Sequence, residues 1–500
     1  MNKKSSGRGI FTPDILIFLD KINDLKIGGR NVAEQFSCQG YDFWQSYQQL
    51  ITEDIKAFKN GVLTKNKRTG LIDVIKLLIT GFCLALLSVI GLLSTIILRK
   101  KVLLYSIDKV SGKRHGADPR MQTIYDFLHG KDIKYAEIIH TVPGTSTFVN
   151  FFKRHRAVVC LEFVDFIFNI TNFLKLIKKP EKDILKEVDL SSFVDGKESD
   201  FVKWLLAKYS RIFELSKFRT AFFRKFLKIS AIKIFLSIDD VRHYNEIILA
   251  CRLEGIPSYA FQHGHFTKYH VGWLSKSKAA DIKTIMPDKI IVWGDYWKKE
   301  LLRLGAYFKE SQILVGGTEY NIPLKEIPGK TDSGSIIILI PYEKSIATED
   351  VLRHINNFLD NPNVFVIFKL RADMPKEKQL KEYGLAEKFH KRFSTVLNAR
   401  DVLTKTDIVA GTYSTFLYDM IAYSKPVIIL KTASDYGEGM VQNGLAEMVS
   451  LDEKDVYRKL LAIKNTPRVE LESRKTKLFG ESLVSLNKTI TEIMLQYDLI

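Results

Sequence analysis

The sequence has few cysteines, and no pattern groups them. Its 500 residues contain 4 cysteines, Cys38, Cys83, Cys160 and Cys251, and none lies in a Cys-x-x-Cys pair. That spacing excludes a zinc knuckle and a disulfide framework of the kind that stabilises small secreted proteins. Low-complexity tracts and short repeats are also missing, and the composition of 46% hydrophobic and 26% charged residues is typical of a folded protein. A chain of this length predicts two domains with additional segments.

Acidic residues are in deficit. The sequence has 57 Asp and Glu against 75 Lys and Arg, which gives a formal net charge of +18. Such an excess favours an anionic partner: a nucleic acid, an acidic membrane surface or a phosphorylated substrate. No zinc finger, RNP motif or basic zipper is present, so we expect no nucleic-acid partner. The amino terminus has no hydrophobic region followed by a cleavage site, so we also expect no signal peptide.

Charge is missing altogether from one long stretch. Residues 77–98, LLITGFCLALLSVIGLLSTIIL, carry no charged side chain, while Lys76 precedes them and the Arg-Lys-Lys triplet at 99–101 follows. A helix of this length covers roughly 30 Å, the hydrocarbon thickness of a bilayer, so the segment predicts membrane insertion. The alternative is a buried core helix. Basic residues on both sides leave the orientation open, and an in-plane or hairpin insertion that bends at Gly81 and Gly91 also fits the pattern.

Apolar runs that end in polar loops alternate with helical patterns over most of the chain. This rhythm predicts an α/β protein with two Rossmann-like, doubly wound domains, separated by a linker at residues 318–335 that contains Pro and Gly. The predicted segments are an N-terminal helical region at 1–76, the hydrophobic membrane segment at 77–98, an N-terminal domain at 101–317 with a basic helical insertion at 150–230, a C-terminal domain at 335–465 and a C-terminal helix at 466–500.

The basic insertion allows two interpretations. Between Lys208 and Lys228, lysines and arginines are interleaved with phenylalanines, and Glu214 is the only acid. An amphipathic helix could pack its phenylalanines inward and leave its cations in water. Alternatively, the basic face could lie on anionic lipid headgroups or hold a lipid-linked acceptor.

The most specific motif spans residues 407–430, DIVAGTYSTFLYDMIAYSKPVIIL. A strand leads into the hydroxyl-rich run TYST at 412–415, then a helix, then a second strand. Amides at a helix N-terminus lie at the positive end of the helix dipole, so this run predicts a phosphate or pyrophosphate site. Asp419, one turn into the helix, could accept hydrogen bonds from ribose or sugar hydroxyls. The alternative is that Ser414 or Thr415 only caps the helix.

The order of strand, Gly-Thr-Tyr-Ser-Thr, helix, acid and Lys-Pro-Val-Ile resembles the donor-binding motif of GT-B glycosyltransferases and of the CDP-glycerol glycerophosphotransferase-like proteins of bacterial surface and capsular polymer synthesis. The strand at 288–293 that runs into Gly294, and the ending Gln-His-Gly at 262–264, are similar to the interdomain region of those families. The resemblance covers roughly residues 101–465. It implies the GT-B fold, in which the two domains face a cleft, a nucleotide-activated donor, and neither a metal nor a cofactor.

Two departures from the family pattern affect the donor site. Many of these enzymes have Lys-Leu-His-Pro where this chain has Lys-Leu-Arg-Ala at 369–372, so Arg371 replaces the histidine that meets the donor phosphates. A guanidinium can clamp a phosphate but cannot act as a proton donor. Asp419 also stands where the longer glutamate is common. The predicted donor-binding residues are Lys369, Arg371, Thr412, Tyr413, Ser414, Thr415 and Asp419.

A second candidate site lies where the apolar run SYAFQHGH, residues 258–265, becomes polar. Under the resemblance, this segment ends a strand of the N-terminal domain at the cleft. His263 could then deprotonate the acceptor hydroxyl or hydrogen-bond the donor phosphate, and Gly264 would let the backbone approach a ligand closely. Zinc bound by His263, His265 and His270 is an alternative that lacks a clear additional ligand. A purely structural histidine is another.

Acids at the ends of neighbouring strands compete for the role of base. Asp239 and Asp240 follow one strand and Asp108 ends the first, and a carboxylate base fits an inverting displacement. The predicted catalytic residues are His263, Asp239 and Asp240, the predicted acceptor-binding residues are Asp108, Asp118, Arg120, Gln262 and Gly264, and no metal site is predicted.

These interpretations combine into one functional prediction. The chain is expected to be a membrane-anchored glycosyltransferase at the cytoplasmic face, with membrane lipids among its partners. It would move a sugar from a nucleotide-sugar donor to a lipid-linked or polysaccharide acceptor of the cell surface. Two alternatives stay open: transfer of a polyol phosphate from a CDP-glycerol-type donor, and a non-catalytic membrane scaffold that keeps a nucleotide-binding fold.

Overall fold

The computed structural model divides the chain into two compact units, an N-terminal unit of Pro13–Tyr320 with Leu483–Ile500 and a C-terminal unit of Asn321–Ser482. The division falls inside the predicted linker at 318–335. The structure describes residues 13–59, 61, 71–108, 118–141, 158–173, 185–193, 195–239, 244–274, 281–318, 334–343, 348–371, 374–385, 391–432, 437–479 and 486–500.

The strands of the N-terminal unit are β1 (Lys26–Ile27), β2 (Arg30–Asn31), β3 (Ser37–Cys38), β4 (Tyr41–Asp42), β5 (Val102–Asp108), β6 (Tyr135–Thr141), β7 (Val159–Cys160), β8 (Ile234–Ile238), β9 (Ser258–Phe261), β10 (Lys283–Thr284), β11 (Lys289–Val292) and β12 (Ile313–Val315). Its first helices are α1 (Pro13–Asn23), α2 (Val32–Gln35), α3 (Phe43–Ser46), α4 (Gln48–Lys59), α5 (Leu71–Ile97), α6 (Gln122–Gly130) and α7 (Leu161–Phe173). They are followed by α8 (Gly196–Ile229), α9 (Asn245–Leu253), α10 (Val271–Leu274) and α11 (Asp295–Arg303).

The C-terminal unit has the strands β13 (Ile336–Pro341), β14 (Val364–Lys369), β15 (Phe393–Val396), β16 (Ile408–Gly411), β17 (Val427–Leu430) and β18 (Glu447–Val449). Its helices are α12 (Thr348–Leu359), α13 (Lys376–Glu382), α14 (Thr415–Ala422), α15 (Glu438–Gln442), α16 (Val456–Lys464) and α17 (Arg468–Phe479). The chain ends with α18 (Leu486–Gln496), which belongs to the N-terminal unit.

Both units are built on a parallel sheet with the same strand order. The N-terminal sheet runs β12-β11-β9-β8-β5-β6-β7 and the C-terminal sheet runs β15-β14-β13-β16-β17-β18. Every pair of neighbouring strands in the two sheets is parallel. Counted along each domain, the order is the doubly wound 3-2-1-4-5-6, extended by one strand in the N-terminal unit. The prediction of an α/β fold with parallel sheets is confirmed.

The strand order locates the position in each sheet where a ligand is expected. The winding direction reverses between β5 and β8 in the first sheet and between β13 and β16 in the second. Loops diverge at such a switch point, which leaves a crevice at the carboxyl ends of the strands. Side chains that directly follow these four strands are therefore the first candidates for chemistry.

Apolar residues on both faces of the strands explain why each sheet is covered by helices. In the C-terminal unit, alternate residues of β13 and β14 pack under α12 and α16, with Ile336, Ile338 and Ile340 fully buried. In the N-terminal unit, α18 packs Ile490 and Met494 into the core beside β5 and β8. The segment predicted as one C-terminal helix at 466–500 is therefore two helices, one in each unit.

The predicted basic insertion includes the long helix α8. Its phenylalanines Phe213, Phe223 and Phe226 are buried. Arg219 forms a salt bridge with Asp165 of α7, and other cations of the helix pair with acids of α4 and of the turn after α9. The contacts match the interpretation of an amphipathic helix that packs inward, because several of its cations are neutralised within the unit.

The apolar segment at 77–98 lies almost entirely in α5. This helix continues through Gly81 and Gly91, so the chain does not turn back on itself at these glycines. Among residues whose side chains the structure describes, no helix is long and apolar enough to cross a membrane.

Candidate functional site

Two predicted catalytic residues meet at the switch point of the N-terminal sheet. Asp239 directly follows β8 and His263 lies two residues after β9, and these strands are adjacent. The backbone N–H of His263 donates to Asp239 Oδ1 at 3.0 Å, and His263 Nδ1 is paired with the same oxygen. Asp239 is only 1% exposed, whereas the His263 side chain is 24% exposed. The carboxylate is thus buried behind an imidazole that reaches solvent.

This geometry determines which ring nitrogen can do chemistry. In the neutral ring, Nδ1–H donates to the carboxylate, so Nε2 carries the lone pair and can accept a proton from a hydroxyl. The carboxylate fixes the ring orientation and stabilises the imidazolium once it forms. The second oxygen, Asp239 Oδ2, has no hydrogen-bond partner among the residues that the structure describes. An unpaired buried atom of this kind calls for an explanation, and a catalytic role is one.

Gln262 and Gly264 hold the loop rather than present side chains to a ligand. The Gln262 side chain is buried; its amide nitrogen donates to the Gly264 carbonyl at 2.7 Å. Its amide oxygen accepts from the backbone N–H of Trp293, the residue after β11. The indole N–H of Trp293 donates to the Gln262 carbonyl at 2.9 Å. The Gln262 side chain therefore fixes the turn that presents His263, and its predicted contact with an acceptor stays a prediction.

The predicted acceptor residues after β5 form a local clamp. Asp118 is fully buried and accepts from the backbone N–H and the guanidinium of Arg120, and from the backbone N–H of Ile107 at 3.4 Å. These contacts tie the loop to the end of β5. The backbone of Asp108 ends that strand, while its side chain and the whole of Asp240 lie outside the described residues. The structure therefore brings Asp239 and His263 together and pairs Asp118 with Arg120, while the predictions for Asp108 and Asp240 concern side chains outside the described residues.

The remaining histidines of the segment lie close to His263 but differ in environment. Burial, together with the neighbouring His270 and His263, lowers the pKa of His265 to about 4, so its ring is neutral at physiological pH. The ring of His270 stacks on Phe266. Within the described part of the chain, no group of three or more His, Cys, Asp or Glu side chains could hold a metal ion.

The switch point of the C-terminal sheet contains a carboxylate, Glu343, that was not predicted from the sequence. Glu343 lies two residues after β13 and is only 4% exposed. One oxygen accepts from the backbone N–H of Thr412 at 2.8 Å and from its hydroxyl at 2.7 Å. The other accepts from the N–H groups of Tyr413 at 3.0 Å and Ser414 at 2.7 Å. The loop after β16 therefore wraps around a side chain of its own domain.

This arrangement corrects the predicted phosphate cradle. The backbone amides of Thr412, Tyr413 and Ser414 already donate to Glu343, so a phosphate cannot use them while that carboxylate is in place. The Ser414 hydroxyl accepts from the N–H of Phe416 and caps α14, as the alternative interpretation held. Burial raises the pKa of Glu343, whereas the four hydrogen bonds oppose that shift. In this structure Glu343 fixes the conformation of the loop, and the loop amides are not open to a phosphate.

Two basic side chains of the same unit, Lys369 and Arg371, could still bind an anion. Lys369, the last residue of β14, places Nζ 5.1 Å from the ring centre of Phe416. Arg371 is exposed, and its backbone is fixed by the buried Gln379 through bonds of 2.8 Å to its N–H and carbonyl. Burial raises the pKa of Asp419 to about 7, and the charge of Lys369 opposes this shift. Two cations and a titrating acid thus lie on the same domain as the capped helix α14.

Glu343 was missed because only tertiary structure reveals its partner. In the sequence it follows the apolar run IIILIPY and looks like an ordinary polar residue after a strand. The available signal was topological, since an acid after the first strand of a doubly wound domain lies beside the loop after the fourth. Trp293 was likewise missed, although an indole after a buried strand commonly finds an acceptor for its N–H.

Comparison with known proteins gives only distant similarity. No protein-family model and no curated protein matches the sequence. Among solved structures, the glycotransferase of kitacinnamycin is 11% identical with a TM-score of 0.48, covering 80% of this chain and 99% of its own. The calicheamicin glycosyltransferase CalG4 is 10% identical, with a TM-score of 0.47 and coverage of 79% and 98%. The UDP-GlcNAc 2-epimerase from Neisseria meningitidis is 13% identical, with a TM-score of 0.46 and coverage of 79% and 100%. Similarities with TM-scores under 0.5 establish neither a shared fold nor a shared activity.

Proposed function

We propose that this chain is a GT-B glycosyltransferase that moves a sugar from a nucleotide-sugar donor to a lipid-linked or polymeric surface polysaccharide. We place it at the cytoplasmic face of a membrane. The observation that carries the proposal is the pair of Asp239 and His263 at the switch point of the N-terminal sheet. The resemblance of residues 407–430 to the donor motif of GT-B transferases supports the choice of reaction.

His263 is the proposed general base. Its Nε2 takes the proton from an acceptor hydroxyl while that oxygen attacks the anomeric carbon of the donor sugar. The bond from this carbon to the phosphate oxygen breaks, and the nucleotide departs with the electron pair. Asp239 stabilises the imidazolium that results. One displacement of this kind inverts the anomeric centre.

The C-terminal unit would bind the donor through side chains rather than loop amides. Lys369 and Arg371 supply positive charge for the phosphates, and a guanidinium can donate two parallel hydrogen bonds to them. These charges would stabilise the leaving nucleotide without a metal ion. Asp419, which titrates near neutral pH, would accept from a ribose or sugar hydroxyl once ionised. Glu343 is a positioning residue beneath this surface.

Nucleotide titration of the full chain by thermal shift tests the proposal. The panel is UDP, GDP, CMP, CDP and CDP-glycerol, measured on the parent protein, Arg371→Ala and a matched control. Lys378→Ala is that control, because it removes an exposed cation of the same unit in α13. We expect one nucleotide to raise the melting temperature of the parent and of Lys378→Ala but not of Arg371→Ala.

The other outcomes decide between the alternatives. A shift with CDP-glycerol that exceeds the shift with CDP would favour polyol-phosphate transfer. No shift with any nucleotide in a folded sample would contradict the proposal and favour the non-catalytic scaffold.

A further inference from the structure

The helix α5 has two faces of different character. One face carries Leu84, Ser88, Gly91 and Thr95 and is buried in the N-terminal unit. The opposite face carries Phe82, Leu86, Val89, Ile90, Leu93 and Ile97, all exposed, from 43% at Val89 to 73% at Ile97. The buried residues follow one another at intervals of four, three and four, and the exposed ones recur at intervals of three or four with Val89 and Ile90 side by side, so each set forms one stripe along the helix.

The buried stripe is fitted to the edge of the N-terminal sheet. β7 is the last strand in that sheet, and the backbone N–H of Cys160 donates to the Ser88 hydroxyl at 2.9 Å. A methyl group at Gly91 would come within 2.2 Å of the Val158 carbonyl oxygen, so only glycine permits this approach. An uncovered edge strand would leave backbone donors without partners. The helix therefore cannot turn away from the sheet without exposing that edge.

The exposed stripe has no polar group to favour water. Every exposed side chain that the structure describes between residues 81 and 97 is apolar. At 1.5 Å per residue, the stripe from Phe82 to Ile97 is roughly 22 Å long. A contiguous apolar surface of this kind marks a contact with a membrane or another macromolecule.

Of these possible partners, the basic residues near the stripe favour an anionic membrane. The stripe ends beside Arg99 and Lys101, both exposed, and the chain carries a net charge of +18. Anionic headgroups attract such cations at the border of an apolar contact. A second copy of the chain would bring two equally positive proteins together, which repulsion disfavours.

We propose that α5 lies in the plane of an anionic membrane surface, with its packed face on the sheet edge and its exposed stripe inserted among the lipids. This inference rests on the membrane association within the proposed function, but it does not depend on sugar transfer. It replaces insertion perpendicular to the membrane with a parallel orientation that keeps β7 covered.

Vesicle flotation of the full chain tests this orientation. The probes are phosphatidylcholine vesicles with and without 30 mol% phosphatidylglycerol, about a third of the lipid, a fraction chosen to give a strong surface charge. We expect the triple variant Leu86→Gln/Ile90→Gln/Leu93→Gln to lose at least about tenfold in partitioning to anionic vesicles. The matched control Ile17→Gln/Val469→Gln/Leu495→Gln removes three exposed apolar side chains elsewhere and should bind as the parent does.

The same samples separate the alternatives. Binding of the triple variant equal to that of the parent would overturn the proposal, and so would a parent dimer that the triple variant loses while vesicle binding is unchanged. A thermal-unfolding scan checks that the variant is folded, and because Leu86, Ile90 and Leu93 are each more than half exposed, we expect little loss of stability. Its nucleotide-induced thermal shift should equal that of the parent, so failure of membrane docking and failure of donor binding remain distinguishable.

Depth measurements distinguish a parallel from a perpendicular helix. The variants Phe82→Trp, Ile90→Trp and Ile97→Trp are made singly, and quenching by lipids brominated near or far from the headgroup is measured above the signal of the 5 native tryptophans. The proposal predicts the same shallow quencher to be most effective at all three positions. Deep quenching at position 90 with shallow quenching at 82 and 97 would contradict it.

Discussion

The two sheets share a strand order, and each places a buried carboxylate where its winding reverses. In the N-terminal unit this is Asp239, which accepts from one of the described residues, His263, through the backbone N–H and the ring. In the C-terminal unit it is Glu343, which accepts four hydrogen bonds from three consecutive residues of one loop. One carboxylate orients a side chain toward solvent, and the other organises backbone.

The difference shows how one topological position can serve chemistry or architecture. Glu343 is saturated by groups that cannot titrate, so its function is to fix the loop from Thr412 to Ser414. Asp239 leaves Oδ2 without a partner among the described residues, and its other oxygen is paired with the His263 imidazole, a group that can accept or donate a proton. An unpaired buried polar atom calls for an explanation, of which a catalytic role is one, whereas Glu343 has no such atom to explain.

The largest expected effect comes from breaking the reactive pair. His263→Ala should lower turnover by about 10²–10⁴-fold, because it removes the proton acceptor. It should leave the nucleotide-induced thermal shift intact, since the donor residues are on the other unit. The measurement is the initial rate of nucleotide release from the nucleotide sugar that the titration identifies. His129→Ala, at the exposed end of α6, is the control and should keep the parent rate.

The second effect compares the stabilities that the two carboxylates supply. Glu343→Gln should lower the free energy of unfolding by about 2–4 kcal/mol, because an amide group would face backbone N–H donors that need an acceptor. Asp239→Asn should cost less, about 1–2 kcal/mol, since fewer donors depend on it. Urea unfolding of both variants tests the order. Equal losses of unfolding free energy in the two variants would contradict the distinction between a structural Glu343 and a reactive Asp239.

A third test concerns Gly437, which packs against the loop that surrounds Glu343. A methyl group at Gly437 would lie 2.3 Å from the Thr412 carbonyl oxygen, whereas one at Gly439 would meet no atom within 4 Å. Gly437→Ala should therefore destabilise the protein by about 1–3 kcal/mol. Gly439→Ala, within α15, should be neutral or slightly stabilising. Similar melting temperatures for the two variants would contradict the packing described for this loop.

The last expected effect is a pH dependence from Asp419. Its pKa in the folded protein, about 7, is above its ordinary value, so the folded state binds this proton more tightly than the unfolded state. Stability from this group is therefore full at low pH and is lost as pH rises toward and through 7. Asp419→Asn should be more stable than the parent at pH 8, with the difference shrinking toward pH 5. A difference that does not change over this range, measured by thermal unfolding, would place Asp419 in a solvated environment.

The sequence was most informative where a pattern depends on local structure. Apolar runs such as Ser335–Tyr342 predicted the buried strand β13, because both faces of a parallel sheet are covered. Short elements were harder: β7 has two residues, and its place at the sheet edge depends on α5, far away in the sequence. The boundary between units was visible as a linker, but the return of α18 to the N-terminal core depends on long-range packing.

The candidate sites show the same limit. Asp239 and His263 could be nominated because each follows an apolar strand, and the adjacency of β8 and β9 brings them together. The predicted openness of the amides at 412–414 could not be judged from the motif, because their partner Glu343 is about seventy residues earlier in the chain. The apolar segment at 77–98 was read from hydropathy alone, which does not show that Gly91 and Ser88 are matched to a strand edge.

The most direct test of the central claim is chemical rescue of His263→Ala. Free imidazole is added to this variant, and to Arg371→Ala, while nucleotide release from the identified nucleotide sugar is followed with water or polysaccharide as acceptor. The account predicts that imidazole restores part of the rate in His263→Ala and none in Arg371→Ala, because only the first lacks a base. A parent-like rate in His263→Ala without imidazole would contradict the assignment of this residue as the general base.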